Sequence, residues 1–106
     1  MAYRFTTLAR ADLRDIGAYT RERWGDAQAE RYLGALERRC RELADAPHMR
    51  RKCEDAPEYF RSFVGRHAIF FRSDEDGALL IVRILHGAML PELHLPASPD
   101  DESGGH

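Results

Sequence analysis

The sequence predicts an α+β fold in which a short N-terminal strand and an antiparallel helical hairpin precede a three-stranded antiparallel meander. Three observations predict it. Apolar residues recur every three or four positions through the first half, the spacing of amphipathic helices. A single Gly25-Asp26 step interrupts that pattern. From Phe60 onward, short runs rich in Phe, Ile, Leu and Val alternate with Gly-containing turns, as strands do.

Each element has a local cause. Tyr3-Arg4-Phe5 alternates apolar and polar, which suits a short strand. Thr6 or Thr7 then offers a hydroxyl to a free amide of the first helical turn. Ala9, Leu13, Ile16, Thr20 and Trp24 form one stripe of the first helix. Gly25 suits the left-handed residue that ends a helix, and Asp26 can cap the next. In the second helix Ala29, Tyr32, Leu33, Leu36, Cys40, Leu43 and Ala44 share a side, while Glu37, Arg38, Arg39 and Arg41 take the other. Pro47 stops it, and residues 48–58 are polar enough to be a loop. Three strands follow, 60–64, 67–72 and 78–86, joined by Gly65-Arg66 and by the turn Ser73 to Gly77.

This layout leaves a surface. Along the last strand Leu80, Val82 and Ile84 alternate with Leu79, Ile81, Arg83 and Leu85. The all-apolar row is expected against the helices. The second row is still largely apolar, and no further element is expected to cover it. Such a patch marks a protein–protein surface, either for a partner or for a second copy of the chain. Arg61 and Arg72 are expected beside Arg83, with Phe63 and Phe70 among them. The candidate partner-binding residues are therefore Arg61, Phe63, Phe70, Arg72, Ile81, Arg83 and Leu85. Three arginines around an apolar centre suit an acidic amphipathic segment; three solvated strand arginines are the plainer alternative.

Composition narrows the function. The 106 residues fit one domain, expected over 1–95, with the acidic stretch 96–106 expected to be disordered. No apolar run reaches the ~20 residues of a membrane-spanning helix, and the first residues lack a secretory pattern, so a cytoplasmic protein is expected. Cys40 and Cys53 are then expected as free thiols, Cys40 buried on its helix and Cys53 in a polar loop.

The formal net charge is −2. Residues 1–52 carry twelve Arg/Lys and eight Asp/Glu, hence +4, whereas residues 53–106 carry four and ten, hence −6. A sheet with so few cations is poorly equipped to handle RNA. His48, His67, His86, His94 and His106 lack the paired spacing of a metal site, and no phosphate loop or nucleophile elbow is present. No metal, cofactor or catalytic residue is assigned. His67 and His86 could pair across strands as acid and base, although structural histidines explain them more simply.

Several stretches together resemble a known family, the ParE branch of the ParE/RelE toxins. They are LARADLRDI (Leu8 to Ile16), YTRERWGDAQAERY (Tyr19 to Tyr32), RSFVGRHAIFFR (Arg61 to Arg72), RILHGAM (Arg83 to Met89) and His94-Leu95. Their order matches the family and spans nearly all of Tyr3 to Leu95. The resemblance implies a toxin neutralised by a ParD-like antitoxin, typically a ribbon-helix-helix protein whose C-terminal segment folds over the toxin. Operator DNA would be contacted only through that antitoxin. The free toxin would trap DNA gyrase, and its gyrase-contacting residues are not assigned.

Departures bear on the alternatives. His48-Met49-Arg50-Arg51-Lys52 replaces a small-residue turn, and Ala88 and Leu90 stand where many relatives have Arg and Asp. Losing a cation at 88 disfavours the runner-up, a RelE-like ribosome-dependent mRNA endoribonuclease. The third possibility is a detoxified antitoxin-binding corepressor.

Overall fold

The computed structural model describes residues 3–87, 89 and 91–95. In chain order the elements are β1 (Tyr3–Phe5), α1 (Thr7–Trp24), α2 (Asp26–Asp45), a 3-10 turn (Pro47–Met49), β2 (Lys52–Cys53), β3 (Ala56–Val64), β4 (His67–Ser73), β5 (Leu79–His86) and α3 (Pro91–His94). The sheet is five-stranded and mixed, in the order β1-β5-β4-β3-β2, with β1 parallel to β5 and the other pairs antiparallel. The expected strand, hairpin and meander are all present. The Ser98-to-His106 part of the acidic stretch, and residues 96 and 97 before it, lie outside the described residues.

Thr6, rather than Thr7, caps α1: its Oγ1 accepts from Ala9 N at 3.0 Å and donates to Val82 O at 2.7 Å. One side chain thus starts the helix and ties it to β5. Between the helices Gly25 takes φ 92°, a conformation that glycine adopts without steric cost. It occupies the cap position expected for Asp26, which instead opens α2 and pairs with Arg21 at 3.0 Å. Arg50 closes the far end of α2, donating from Nε to Leu43 O at 3.0 Å and from Nη2 to Ala44 O at 3.4 Å. These carbonyls are among those a helix C-terminus leaves without intrahelical partners.

Gly65-Arg66 makes the tight turn predicted between β3 and β4. Val64 pairs with His67, and of the two central turn residues only Gly65 has positive φ, 56°. That is the signature of a type II′ hairpin, whose first central residue is glycine.

The loop expected over 48–58 is more ordered than its polarity implies. It contains the 3-10 turn, β2 and the first residues of β3. Cys53, expected in a polar loop, is fully buried. A two-residue strand is too short to show periodicity.

The facing of β5 differs from simple alternation. Phe70 pairs with Arg83 but Phe71 pairs with Ile81, leaving Val82 as an extra residue in a β-bulge. The bulge reverses the two faces partway along the strand. Leu79, Ile81 and Ile84 all enter the core beneath the helices, with Ile69, Phe71, Leu36, Cys40 and Leu43. Leu80, Val82 and Leu85 lie on the opposite face. The expectation that Leu80, Val82 and Ile84 share the helix side therefore holds only for Ile84. Ile81, assigned to the outer row, is fully buried on the helix side.

Nor is the outer row bare. Cys53 and Tyr59 cover part of it, and Leu95 packs against both clusters, Ala68/Phe70/Leu85 and Tyr59/Leu80/Val82. The short α3 carries Leu95 back over the sheet, with Leu95 N donating to Pro91 O at 2.9 Å.

Candidate functional site

Arg61, Phe63, Phe70, Arg72, Arg83 and Leu85 share the sheet face turned away from the helices. The strand register places them there: Arg61 lies opposite Phe70, Phe63 opposite Ala68, Phe70 opposite Arg83, and Arg72 opposite Leu80. Phe70 and Leu85 are buried beneath this surface, whereas Phe63 is 53% exposed. The Arg61 guanidinium carbon lies 5.0 Å from the Phe63 ring centroid. That stack restrains an exposed ring and a cation side by side, which lowers the ordering cost of a later contact. Arg72 is half-buried on the same face.

Arg83 is committed differently. Past the end of β1, the edge of β5 is covered by α1 rather than by another strand. Asp12 of α1 accepts Arg83 Nε at 2.8 Å on one oxygen and Nη2 at 2.9 Å on the other. Its Oδ2 also accepts the edge amide of Ile84 at 2.9 Å. Arg83 Nη1 donates to His94 O at 3.0 Å, fastening α3 to the sheet. The side chain is a junction between α1, β5 and α3. Asp12 was readable as a core-side residue, since it sits three after Ala9 and four before Ile16 on the buried stripe. Its pairing with Arg83 across 71 residues carried no sequence signal.

A second feature lies at the hairpin tip. Trp24, expected on the apolar stripe of α1, is 66% exposed, and Tyr19 beside it is 59% exposed. The Arg23 guanidinium stacks over both, 5.7 Å from Tyr19 and 5.9 Å from Trp24. A groove of about 830 Å³ runs from these rings to Arg66, His67, His86 and Met89.

His67 and His86 do pair across strands, with ring centroids 5.7 Å apart. Tyr32 Oη donates to Val64 O at 2.9 Å and lies 2.6 Å from His67 Nδ1. A phenol that gives its proton to Val64 accepts from the imidazole, which assigns the proton of neutral His67 to Nδ1. Burial and the neighbouring His86 push the His67 pKa below its ordinary 6.5, partly opposed by Asp12. This is the geometry of a structural histidine. Among the described residues no group of His, Cys, Asp and Glu could hold a metal ion. Ala88 and Leu90 lie outside the described residues.

The profile of the ParE toxin of the type II toxin–antitoxin system parDE matches residues 3–91. The chain belongs to the ParE toxin family. Toxin ParE1 of Mycobacterium tuberculosis is 35% identical over 88 residues, covering 82% of this chain and 90% of that protein. Toxin ParE1 of Caulobacter vibrioides is 35% identical over 94 residues, covering 88% and 96%. The chromosomal ParDE system of P. aeruginosa supplies a structural likeness, with a TM-score of 0.71 at 19% identity over 81% of this chain and 95% of that one. In this ParE toxin the LARADLRDI stretch holds Asp12, and RSFVGRHAIFFR forms the β3–β4 hairpin with its type II′ turn. The resemblance thus maps onto the junctions of the fold. Among the described residues no helix is long and apolar enough to cross a membrane.

Proposed function

We propose that the chain is held by a cognate ParD-like antitoxin and inhibits DNA gyrase when released. The observation that carries this reading is the ParE-family match across residues 3–91. The antitoxin's acidic C-terminal segment covers the outer sheet face, against Phe63, Arg61 and Arg72, with Phe70 and Leu85 as the apolar floor. Ile81 has no part in that contact. Arg83 supports the surface from below through Asp12 and His94. A ribbon-helix-helix domain in the antitoxin would contact operator DNA, and the toxin would reach DNA only through it. An inhibitor of gyrase would act in the cytoplasm.

The inhibitor is non-enzymatic. Support comes from how few cations the sheet offers: Arg83 is engaged by Asp12 and His94 O, which leaves Arg61 and Arg72 on the outer face. A sheet that cleaved RNA would need such groups available for phosphate. Purified chain should inhibit gyrase supercoiling or stabilise gyrase-cleaved DNA, while leaving mRNA on translating ribosomes intact. Cleavage of ribosome-bound mRNA without any effect on gyrase would replace this reading with the ribonuclease. Inertness in both assays, with tight antitoxin binding, would leave the corepressor.

A further inference from the structure

The groove at the hairpin tip lies beside the arginine face. Its walls come from the second half of α1 and from the ends of β4 and β5, with Ile16, Ile84 and Leu85 as a buried floor. We propose that this groove and the Tyr19–Arg23–Trp24 cluster grip gyrase itself, receiving a protein segment that bears a large apolar side chain next to a carboxylate. The inference rests on the gyrase reading above and names the surface that performs it.

Composition points to a protein contact. Trp, Tyr and Arg are the residues in which interface binding energy concentrates. Here they stand together and exposed, and the stacking of Arg23 on both rings already restricts all three. An apolar side chain of the partner would enter over Ile16 and Met89, removing both rings from water.

Charge selects the rest of the occupant. Arg83 and Asp12 neutralise each other within the groove wall. Arg23 and Arg66 remain exposed at its rim, against Asp15. That small positive excess suits one carboxylate. It is too small to hold a run of phosphates, whose binding rests on releasing many counterions.

The position also accounts for neutralisation. His86 and Met89 line both this groove and the small pocket beside Arg61, Phe63 and Phe70. An antitoxin seated on the arginine face therefore reaches the groove's edge, and the two partners exclude each other without sharing the aromatic cluster.

The test is the double variant Tyr19→Ala/Trp24→Ala, with Trp24→Phe and Arg66→Glu as separate proteins. Supercoiling inhibition is read alongside binding to gyrase without DNA. The double variant should need at least about tenfold more protein to inhibit, as expected when a hot-spot aromatic is lost. Trp24→Phe should retain most activity, and Arg66→Glu should weaken binding with its fold intact by far-UV circular dichroism. Arg66→Glu carries the test if the double variant misfolds. Variants that inhibit as well as wild type overturn this inference alone. A wild-type chain without effect on gyrase overturns the gyrase reading, and this surface with it. Binding of a single-stranded oligonucleotide through the aromatic pair, with gyrase bound only when DNA is present, would reassign the groove to nucleic acid.

Discussion

Asp12 holds Arg83 fork to fork, with Nε to Oδ2 at 2.8 Å and Nη2 to Oδ1 at 2.9 Å, and both side chains are largely withdrawn from solvent. Because Asp12 also takes the Ile84 amide at 2.9 Å, it satisfies the edge of β5 where β1 has ended. Asp12→Ala leaves a partly buried guanidinium and an edge amide without this acceptor. Removing one partner of such a pair costs about 3–5 kcal/mol when burial is complete, so a loss of ~3 kcal/mol is expected here. Urea unfolding should show a lower midpoint at unchanged slope. A loss under about 0.5 kcal/mol would mean that the pair behaves as an exposed one.

Gly65 and Tyr32 form a second close pair. A Cβ on Gly65 would stand 2.9 Å from Tyr32 Oη, and the residue has φ 56°. Gly65→Ala therefore meets both a conformational and a steric penalty, of ~1–3 kcal/mol together. The same substitution in a Tyr32→Phe background should cost less, since the clashing oxygen is gone. Equal costs in the two backgrounds would assign the effect to the backbone and to ring carbon Cε1, which stands 3.0 Å from the same Cβ in both.

The pH dependence of stability follows from His67. Its pKa is lowered in the folded state by burial and by His86, so the unfolded chain binds the proton more readily. Stability is then full above the unfolded value of 6.5 and falls as the pH drops through it toward the folded value. Asp12, His86, Tyr32 and Arg66 are the titratable or charged groups around the ring. Thermal midpoints of the wild type should decline from pH 7.5 to 5.5 more steeply than those of His67→Gln. Parallel curves would place the acid sensitivity elsewhere.

What the sequence disclosed and what it hid divide along physical lines. Helical periodicity located both long helices, Gly25 marked the junction between them, and Gly65 marked the β3–β4 turn, because glycine fits both backbones readily. The outward placing of Arg61, Phe63 and Arg72 was legible from charge and alternation. Ile81 was not, because one extra residue at Val82 reverses the pleat and a bulge leaves no mark in a run of Leu, Ile and Val. The parallel pairing of β1 with β5 joins residues more than 70 positions apart, beyond any local pattern. Leu95 was missed as a cover because a four-residue helix has too few positions to display a period.

That reversal separates two substitutions that alternation alone would treat alike. Phe63 is 53% exposed on the arginine face, while Ile81 is fully buried beneath the helices. Ile81→Ala should destabilise the fold by about 2–5 kcal/mol, the usual range for emptying such a site. Phe63→Ala should leave the unfolding midpoint nearly unchanged and instead weaken the complex with the co-expressed antitoxin. Arg61→Ala should follow Phe63→Ala, because the guanidinium stacks on that ring at 5.0 Å and would offer a partner carboxylate a charge-assisted bond. A desolvated bond of that kind is worth ~1.5–3 kcal/mol, roughly ten- to a hundredfold in affinity. Arg72→Ala, half-buried beside Leu80, should lose affinity in the same direction. Titration calorimetry on the purified complex measures both quantities against thermal unfolding of the toxin alone. Unchanged affinity for all three surface variants would remove the arginine face as the antitoxin's seat, whatever Ile81→Ala does to the fold.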